Sequence, residues 1–409
     1  MTGIFGITKK ARIVAIAVAL ARPIGIFLAR RVVRAEYVRH IAVLGSTATV
    51  VTLTANIHTR QAGVFGLWFD GAARHEIIGE IIHRTARSVT RRILTPHDTP
   101  IPRTTTAVWT GHIYRGPQVL DPEFTEVQIP VAGGHAPAWR LAPPISGPSI
   151  SGPSAAATWA IHIHGIRSSR ITALRTVPAA HALGYTSLVA SFRGDGDAPA
   201  TPNGYSSLGQ REWEDVDAAL GYAVENGAKA IVLFGWSMGA TIALLLSERS
   251  QHRHLIERIV LIGPPTNWSA VIRYGATQVR LPGVLGRLAA LTLSDPSLSE
   301  LAGLPEPIDV DALDWTSQKR LTRPTLVIHS SADRKIPLSL THRFAAKHPG
   351  LVDVVDVPGA QHGCEFNLSP ETFTRAIADW STRIADDVGG PYSARESTHR
   401  HLPQGIPKR

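Results

Sequence analysis

Cysteine is nearly absent from this 409-residue chain. Cys364 stands alone, so no intramolecular disulfide can form, and the paired Cys/His spacings of a structural zinc site are missing as well. Acidic residues are scarce in the first quarter. Met1–Arg103 holds 15 Lys and Arg against 5 Asp and Glu, whereas the remainder carries 27 of each sign, so the net charge of +10 belongs entirely to the N-terminal part. There is no recognisable nucleic-acid module and no run of basic residues interleaved with stacking aromatics, which argues against nucleic acid as a partner. What is present, 44 % apolar and 18 % charged residues, is the composition of a folded protein long enough to bury a full core.

Long apolar stretches are few, and two of them lie in the basic quarter. Ile13–Leu28 follows Lys9, Lys10 and Arg12 and is broken by Arg22 and Pro23; Ile41–Ala55 is uncharged and lies behind Arg30, Arg31, Arg34 and Arg39. Spanning a bilayer takes about 20 mostly apolar residues, so the second stretch is long enough only if Tyr37–His58 all contribute. A basic flank before an apolar segment is the pattern of a signal anchor. The expectation is therefore a membrane-associated protein, held through residues 1–60, whose main domain lies outside the cytoplasm. A cleaved signal or a soluble amphipathic extension is the alternative.

Between Asp70 and Arg92 the spacing of Ile77, Ile78, Ile81, Ile82 and Val89 predicts an amphipathic helix, and Pro96, Pro100 and Pro102 make Leu94–Thr106 a linker. Residues 61–123 thus read as a helix and linker extension. From Phe124 apolar strands alternate with helices, which requires a mostly parallel sheet because each parallel neighbour needs a crossover. This α/β core covers 124–263 and 323–386. The repeated Ile-Ser-Gly-Pro-Ser at Ile145 and Ile150 is a flexible loop. An insertion, 264–322, with helical patterns near Val271–Val279 and Leu285–Leu293, stands where a lid belongs, and 387–409 reads as a disordered tail.

The chemistry-bearing residues fall at the ends of the strands. Gly235-Trp236-Ser237-Met238-Gly239 follows an apolar strand and precedes an apolar helix, the context that turns a G-x-S-x-G pattern into a nucleophile elbow. A serine hydroxyl needs a base, and the base needs an orienting carboxylate. Asp333 follows the strand Thr325–His329 and His362 follows Val352–Val357, giving the chain order serine, acid, histidine. His329 reads as a packed core histidine, Asp353 and Asp356 as solvent-facing, His162 and His164 as nearer the oxyanion loop, and Asp311 or Asp314 as alternative acids. Two backbone N–H groups must hold the developing oxyanion. Met238 is one candidate and Ile166, after His164-Gly165, the other. In Phe192-Arg-Gly-Asp-Gly-Asp197 the Ca²⁺ ligand series is incomplete, so the segment reads as a turn bracing the site rather than a metal loop. Neither metal nor cofactor is expected.

The elbow, His164-Gly165, Arg193-Gly194 with Gly196, Asp333 and His362 together resemble the α/β-hydrolase superfamily over roughly Phe124–Ala385. The nearest branch is the lysophospholipase-like and serine-aminopeptidase-like hydrolases, in which an R-G-x-G turn and a helical lid are common. Met238-Gly-Ala after the serine differs from the Tyr-Gly-Gly common in prolyl-oligopeptidase-like peptidases. The resemblance implies the α/β-hydrolase fold and hydrolysis of an ester, thioester or amide. A carboxylic ester, as a small acyl ester or lipid, is the first expectation, with Trp268, Tyr274, Val279, Leu281, Val284, Leu285 and Leu288 as an apolar lid surface. A peptidase or amidase, or a silent binding protein of the same fold, remains open, as does the oligomeric state.

Overall fold

The computed structural model describes residues 22–34, 40–95, 99–144, 157–386 and 399–401. Two sheets organise them. The first is a closed barrel in which β1 (His40–Ser46), β2 (Val50–Thr54), β3 (Phe65–Phe69), β4 (Arg74–Arg84), β5 (Ser88–Ile93) and β6 (Thr104–Thr110) run in the order β1-β2-β5-β4-β3-β6. Every pairing is antiparallel. Alternate residues point inward: Ile41 and Val43, Val51 and Leu53, and Phe65, Leu67 and Phe69 fill the centre.

This barrel overturns two expectations. Ile41–Ala55 is a hairpin, because its threonines and β-branched residues alternate in burial with period 2 rather than presenting a continuous apolar face. No helix among the described residues is long and apolar enough to cross a membrane, so the expected span at Ile41–Ala55, and the extracytoplasmic placement drawn from it, find no support. The segment expected as a helix over 70–92 is β4 and β5. Register shifts between Ile78 and Ile81 and between Ile81 and His83 put β4 out of strict alternation, and the resulting isoleucine spacing imitates a helical one.

Arginine roles also differ from the anchor reading. Helix α1 (22–33) packs on the second domain, with Ala29 and Val33 fully buried. Arg30 donates through Nε to the carbonyl of Ala302 (3.1 Å) and through Nη2 to that of Leu301 (2.9 Å), at a helix C-terminus where cations are favoured. Lys9, Lys10, Arg12 and most of Ile13–Leu28, with Arg39, lie outside the described residues, as do 145–156.

The second sheet has nine strands in the order β15-β14-β13-β12-β11-β9-β10-β8-β7. They are β7 (Thr125–Val131), β8 (Gly134–Leu141), β9 (Thr158–Ile163), β10 (Thr186–Ala190), β11 (Ala230–Trp236), β12 (Ile256–Ile262), β13 (Thr325–His329), β14 (Val352–Asp356) and β15 (His399–His401). From β10 to β15 the neighbours are parallel, and the hairpin β7–β8 joins antiparallel. Helices α2 (Val177–Ala182), α3 (Glu212–Glu225), α4 (Met238–Arg249), α8 (Leu338–Lys347), α9 (Glu365–Leu368) and α10 (Pro370–Asp386) accompany it, and α5 (Trp268–Gln278), α6 (Gly283–Ser294) and α7 (Pro296–Leu301) occupy the segment between β12 and β13. This is the α/β-hydrolase architecture with a separate N-terminal domain. Within the expected tail, His399–His401 instead adds a strand beside β14, and 387–398 and 402–409 lie outside the described residues.

Candidate active site

Ser237 stands between β11, buried along its whole length, and α4, which begins one residue later. The turn has no room for side chains. A Cβ on Gly235 would lie 2.5 Å from the carbonyl oxygen of Gly239, and one on Gly239 would lie 2.4 Å from that of Ile163. Ser237 adopts φ +51°, a left-handed conformation rare outside glycine. Strain of this kind is what the elbow uses to lift the hydroxyl off the sheet.

The loops after β13 and β14 bring two more side chains to that hydroxyl. His362 Nε2 lies 2.9 Å from Ser237 Oγ, and His362 Nδ1 lies 2.7 Å from Asp333 Oδ2. With Nδ1 donating to the carboxylate, Nε2 is the acceptor for the serine proton. Asp333 is held by its own loop: Oδ1 accepts the N–H groups of Lys335 (2.7 Å) and Ile336 (3.0 Å). Burial pushes this carboxyl up, but the imidazoles of His362 and His329 outweigh burial and hold it well below the usual carboxylate range.

His329 is buried in β13 as expected, yet it does more than pack. Its Nε2 lies 3.1 Å from Asp333 Oδ2 and its Nδ1 2.7 Å from Thr341 Oγ1, so Asp333 is shared between two histidines. The four-residue spacing across the strand end was the available signal. The other rivals are bonded elsewhere or exposed. His162 is buried between Thr176 Oγ1 and Ser187 Oγ, and burial lowers its pKa to about 3. Asp314 accepts the N–H and hydroxyl of Thr316, and Asp311 is exposed. Asp353 and Asp356 are half-buried rather than solvent-facing, accepting from Trp380 Nε1 and the Ser331 N–H respectively.

The loop after β9 closes on the serine. A Cβ on Gly165 would lie 3.2 Å from Ser237 Cβ, and Ile166 follows at the cavity wall. His164 Nδ1 lies 2.9 Å from the Gly165 carbonyl while its Nε2 lies 3.0 Å from Asp195 Oδ2, which fixes that loop from behind. Met238 opens α4, so its N–H is among the first-turn donors that have no partner within the helix. In the Gly-rich turn the backbone N–H and Nε of Arg193 donate to Asp215 Oδ2, and Asp197 faces Arg170. Among the described residues no group of three or more His, Cys, Asp or Glu could hold a metal ion.

Above Ser237 lies a cavity of about 510 Å³. Of the residues expected to form its apolar surface, Trp268 and Val279 line it, whereas Val284 is exposed and Tyr274, Leu281, Leu285 and Leu288 are not among the lining residues. The rest of the apolar wall comes from Val271, Ile272 and Ala276 of α5, and from Leu28 and Val32 of α1, within the region expected as an anchor.

Residues 151–376 match the model of the Alpha/beta hydrolase family, more than half of the chain. The chain belongs to that family. In this α/β hydrolase, residues 42–110, the barrel, match a second model described as "Domain of unknown function (DUF8805)". Among solved structures, the Pyrococcus furiosus esterase Pf2001 is similar at 18 % identity and TM-score 0.48, covering 66 % of this chain and 95 % of its own. Est1E from Butyrivibrio proteoclasticus, solved with ferulic acid bound, is similar at 17 % identity and TM-score 0.46, covering 63 % of this chain and 99 % of its own. No curated protein matches the chain.

Proposed function

We propose that this α/β hydrolase is a serine hydrolase of carboxylic esters, with Ser237 as nucleophile, His362 as general base and Asp333 as the group that orients it. The observation that carries this is the unbroken line from Asp333 Oδ2 through both ring nitrogens of His362 to Ser237 Oγ, at 2.7 and 2.9 Å. Ser237 Oγ attacks the acyl carbon while His362 Nε2 takes its proton and returns it to the departing alcohol; water then repeats the sequence on the acyl-enzyme. The N–H groups of Met238 and Ile166 are the donors assigned to the oxyanion. An apolar acyl or alcohol group fits the wall built by α1 and α5, and a small-molecule ester, lipid-like or not, is the substrate class.

A peptidase or amidase on the same three residues is the second reading. Met238-Gly-Ala, in place of Tyr-Gly-Gly, weighs against it. The test is turnover of p-nitrophenyl esters of rising chain length and of aminoacyl anilides, by the full chain and by Ser237→Ala. Loss of about a thousandfold or more of ester turnover in the variant is expected. Equal rates in the two proteins, or no reaction of folded protein with a fluorophosphonate, refute the assignment.

A further inference from the structure

The cavity above Ser237 is chemically lopsided. One side is apolar, as described. Every charged side chain that lines it is a cation, namely Arg31, Arg167, Arg175, Arg334 and Lys335, and among its described lining residues there is no Asp or Glu. These five are not one basic segment folded inward: Arg31 comes from α1, Arg167 from the loop after β9, Arg175 from the turn before α2, and Arg334 and Lys335 from the loop after β13. Arg167 and Arg175 are tied to backbone carbonyls. Arg167 Nη2 donates to the carbonyls of Arg31 and Val32 (both 2.6 Å), and Arg175 Nη1 donates to that of Gly363 (2.6 Å). Arg31, Arg334 and Lys335 are exposed, two elements meeting at the rim.

Like charges gathered at a low-dielectric cleft focus a field that raises the local concentration of the opposite charge. A neutral ester gains nothing from that field. A substrate with a free ammonium, such as the N-terminus of a peptide, would meet repulsion and find no carboxylate among the described lining residues to pair with.

Resting on the serine-hydrolase reading above, we propose that the substrate is an anionic ester, whose apolar part lies along α1 and α5 and whose carboxylate or phosphate is drawn to Arg31, Arg334 and Lys335. The anion is not consumed: water supplies hydroxyl to the acyl carbon and a proton to the alcohol oxygen, and the C–O bond between them breaks. It follows that α1, outside the matched family region, takes part in substrate selection.

The experiment compares kcat/KM of the full chain for three octanoate esters that differ only in the phenol: 3-carboxyphenyl, 3-phosphonooxyphenyl and the neutral 3-(methoxycarbonyl)phenyl. At least one anionic ester should exceed the neutral one by about tenfold or more at low salt, with the preference shrinking as salt screens the rim; which anion leads identifies the source. The ratio of anionic to neutral kcat/KM should fall by about tenfold in Arg31→Glu and in the pair Arg334→Glu and Lys335→Glu. A ratio near one, or a preference that survives both charge reversals in folded protein, overturns the proposal while leaving the hydrolase reading intact. Failure of all three esters to exceed the Ser237→Ala background, in protein that a fluorophosphonate also fails to label, sinks the reading and the proposal together. If labelling succeeds without turnover, octanoate must slow it where octylammonium at equal concentration does not, and equal protection overturns the proposal.

Discussion

Arg175 donates through Nη1 to the carbonyl of Gly363, at 2.6 Å, and so grips the chain one residue beyond His362. The same guanidinium lies 3.9 Å from the centroid of Trp236, one residue before Ser237. One buried side chain therefore ties the loop of His362 to the turn of Ser237. Burial lowers its pKa to about 10, and it stays charged at neutral pH. Arg175→Leu leaves the Gly363 carbonyl and the Asn367 amide oxygen without their donor, which should cost on the order of 2 kcal/mol or more in denaturant unfolding. In the folded fraction kcat for a neutral ester should drop more than KM changes, because the loop that aims His362 is released. An unchanged kcat would show that the loop holds its position without the arginine.

The barrel has its own buried arginine. Arg91, fully buried, donates to the carbonyls of Gly79, Thr59, Gln61 and Gly63 and lies over the rings of Phe65 and Trp109. Carbonyl dipoles rather than a carboxylate compensate the charge, and the guanidinium in turn closes the loop between β2 and β3. Gly63 of that loop leaves no space beside Asn367: a Cβ there would lie 2.1 Å from its carbonyl oxygen. Arg91→Met should strand those carbonyls and lower stability by about 2–3 kcal/mol. Because Asn367 Nδ2 bonds the carbonyls of Val64 and Gly111, the loss should be read out by both domains, as a single shifted unfolding transition. Two separated transitions would argue that the domains melt independently.

The second domain was legible because its signals are local and redundant. Strand, turn and helix around Ser237 are each marked by residue type, and Gly235 and Gly239 are required by contacts of 2.5 and 2.4 Å that any family of such turns must avoid. Order alone picks out Asp333 and His362 as candidates, and the structure places them in hydrogen-bond reach of one another, with His362 reaching Ser237. The barrel was not legible for a physical reason: bulges in β4 broke the period of two, and short apolar strands such as β1 and β2 have the composition of a truncated span. Long-range facts were invisible too. Nothing near Leu28 or Arg31 in sequence announces that they line one cavity with Ser237.

Glu365 offers a pH test. It is buried beside the site, converging with His362 on Gly263: a Cβ on that glycine would lie 3.2 Å from Glu365 Oε1 and 3.3 Å from His362 Nδ1. Burial first, and the charge of Asp333 second, push its pKa from 4.5 to about 8. The folded chain thus keeps a proton that the unfolded chain has released, so this contribution to stability is complete below pH 4.5 and is lost as pH rises through about 8. The decline from this proton is at most about 1.4 kcal/mol per pH unit. Glu365→Gln should match the wild type near pH 5 and exceed it in Tm at pH 9. Parallel Tm curves for the two proteins from pH 5 to 9 would contradict the shift.

Asp333→Asn is the substitution whose outcome the hydrogen bonds dictate most fully. Lys335 and Ile336 both present N–H groups to Oδ1, so an amide placed here must put its oxygen at that position and its NH₂ where Oδ2 was. That NH₂ then faces His362 Nδ1 and His329 Nε2, neither of which can donate to it. His362 can keep a hydrogen bond only by moving its proton from Nδ1 to Nε2, and Nε2 is the atom that must accept the proton of Ser237. The geometry survives while the tautomer is wrong. Loss of kcat on the order of 10³ to 10⁴ is expected, with KM within severalfold of the wild type and far-UV circular dichroism unchanged. At high pH hydroxide can deprotonate the serine without help, so the residual rate should rise with pH where the wild-type rate has levelled. A variant with near wild-type kcat would mean that the carboxylate does not set the tautomer of His362.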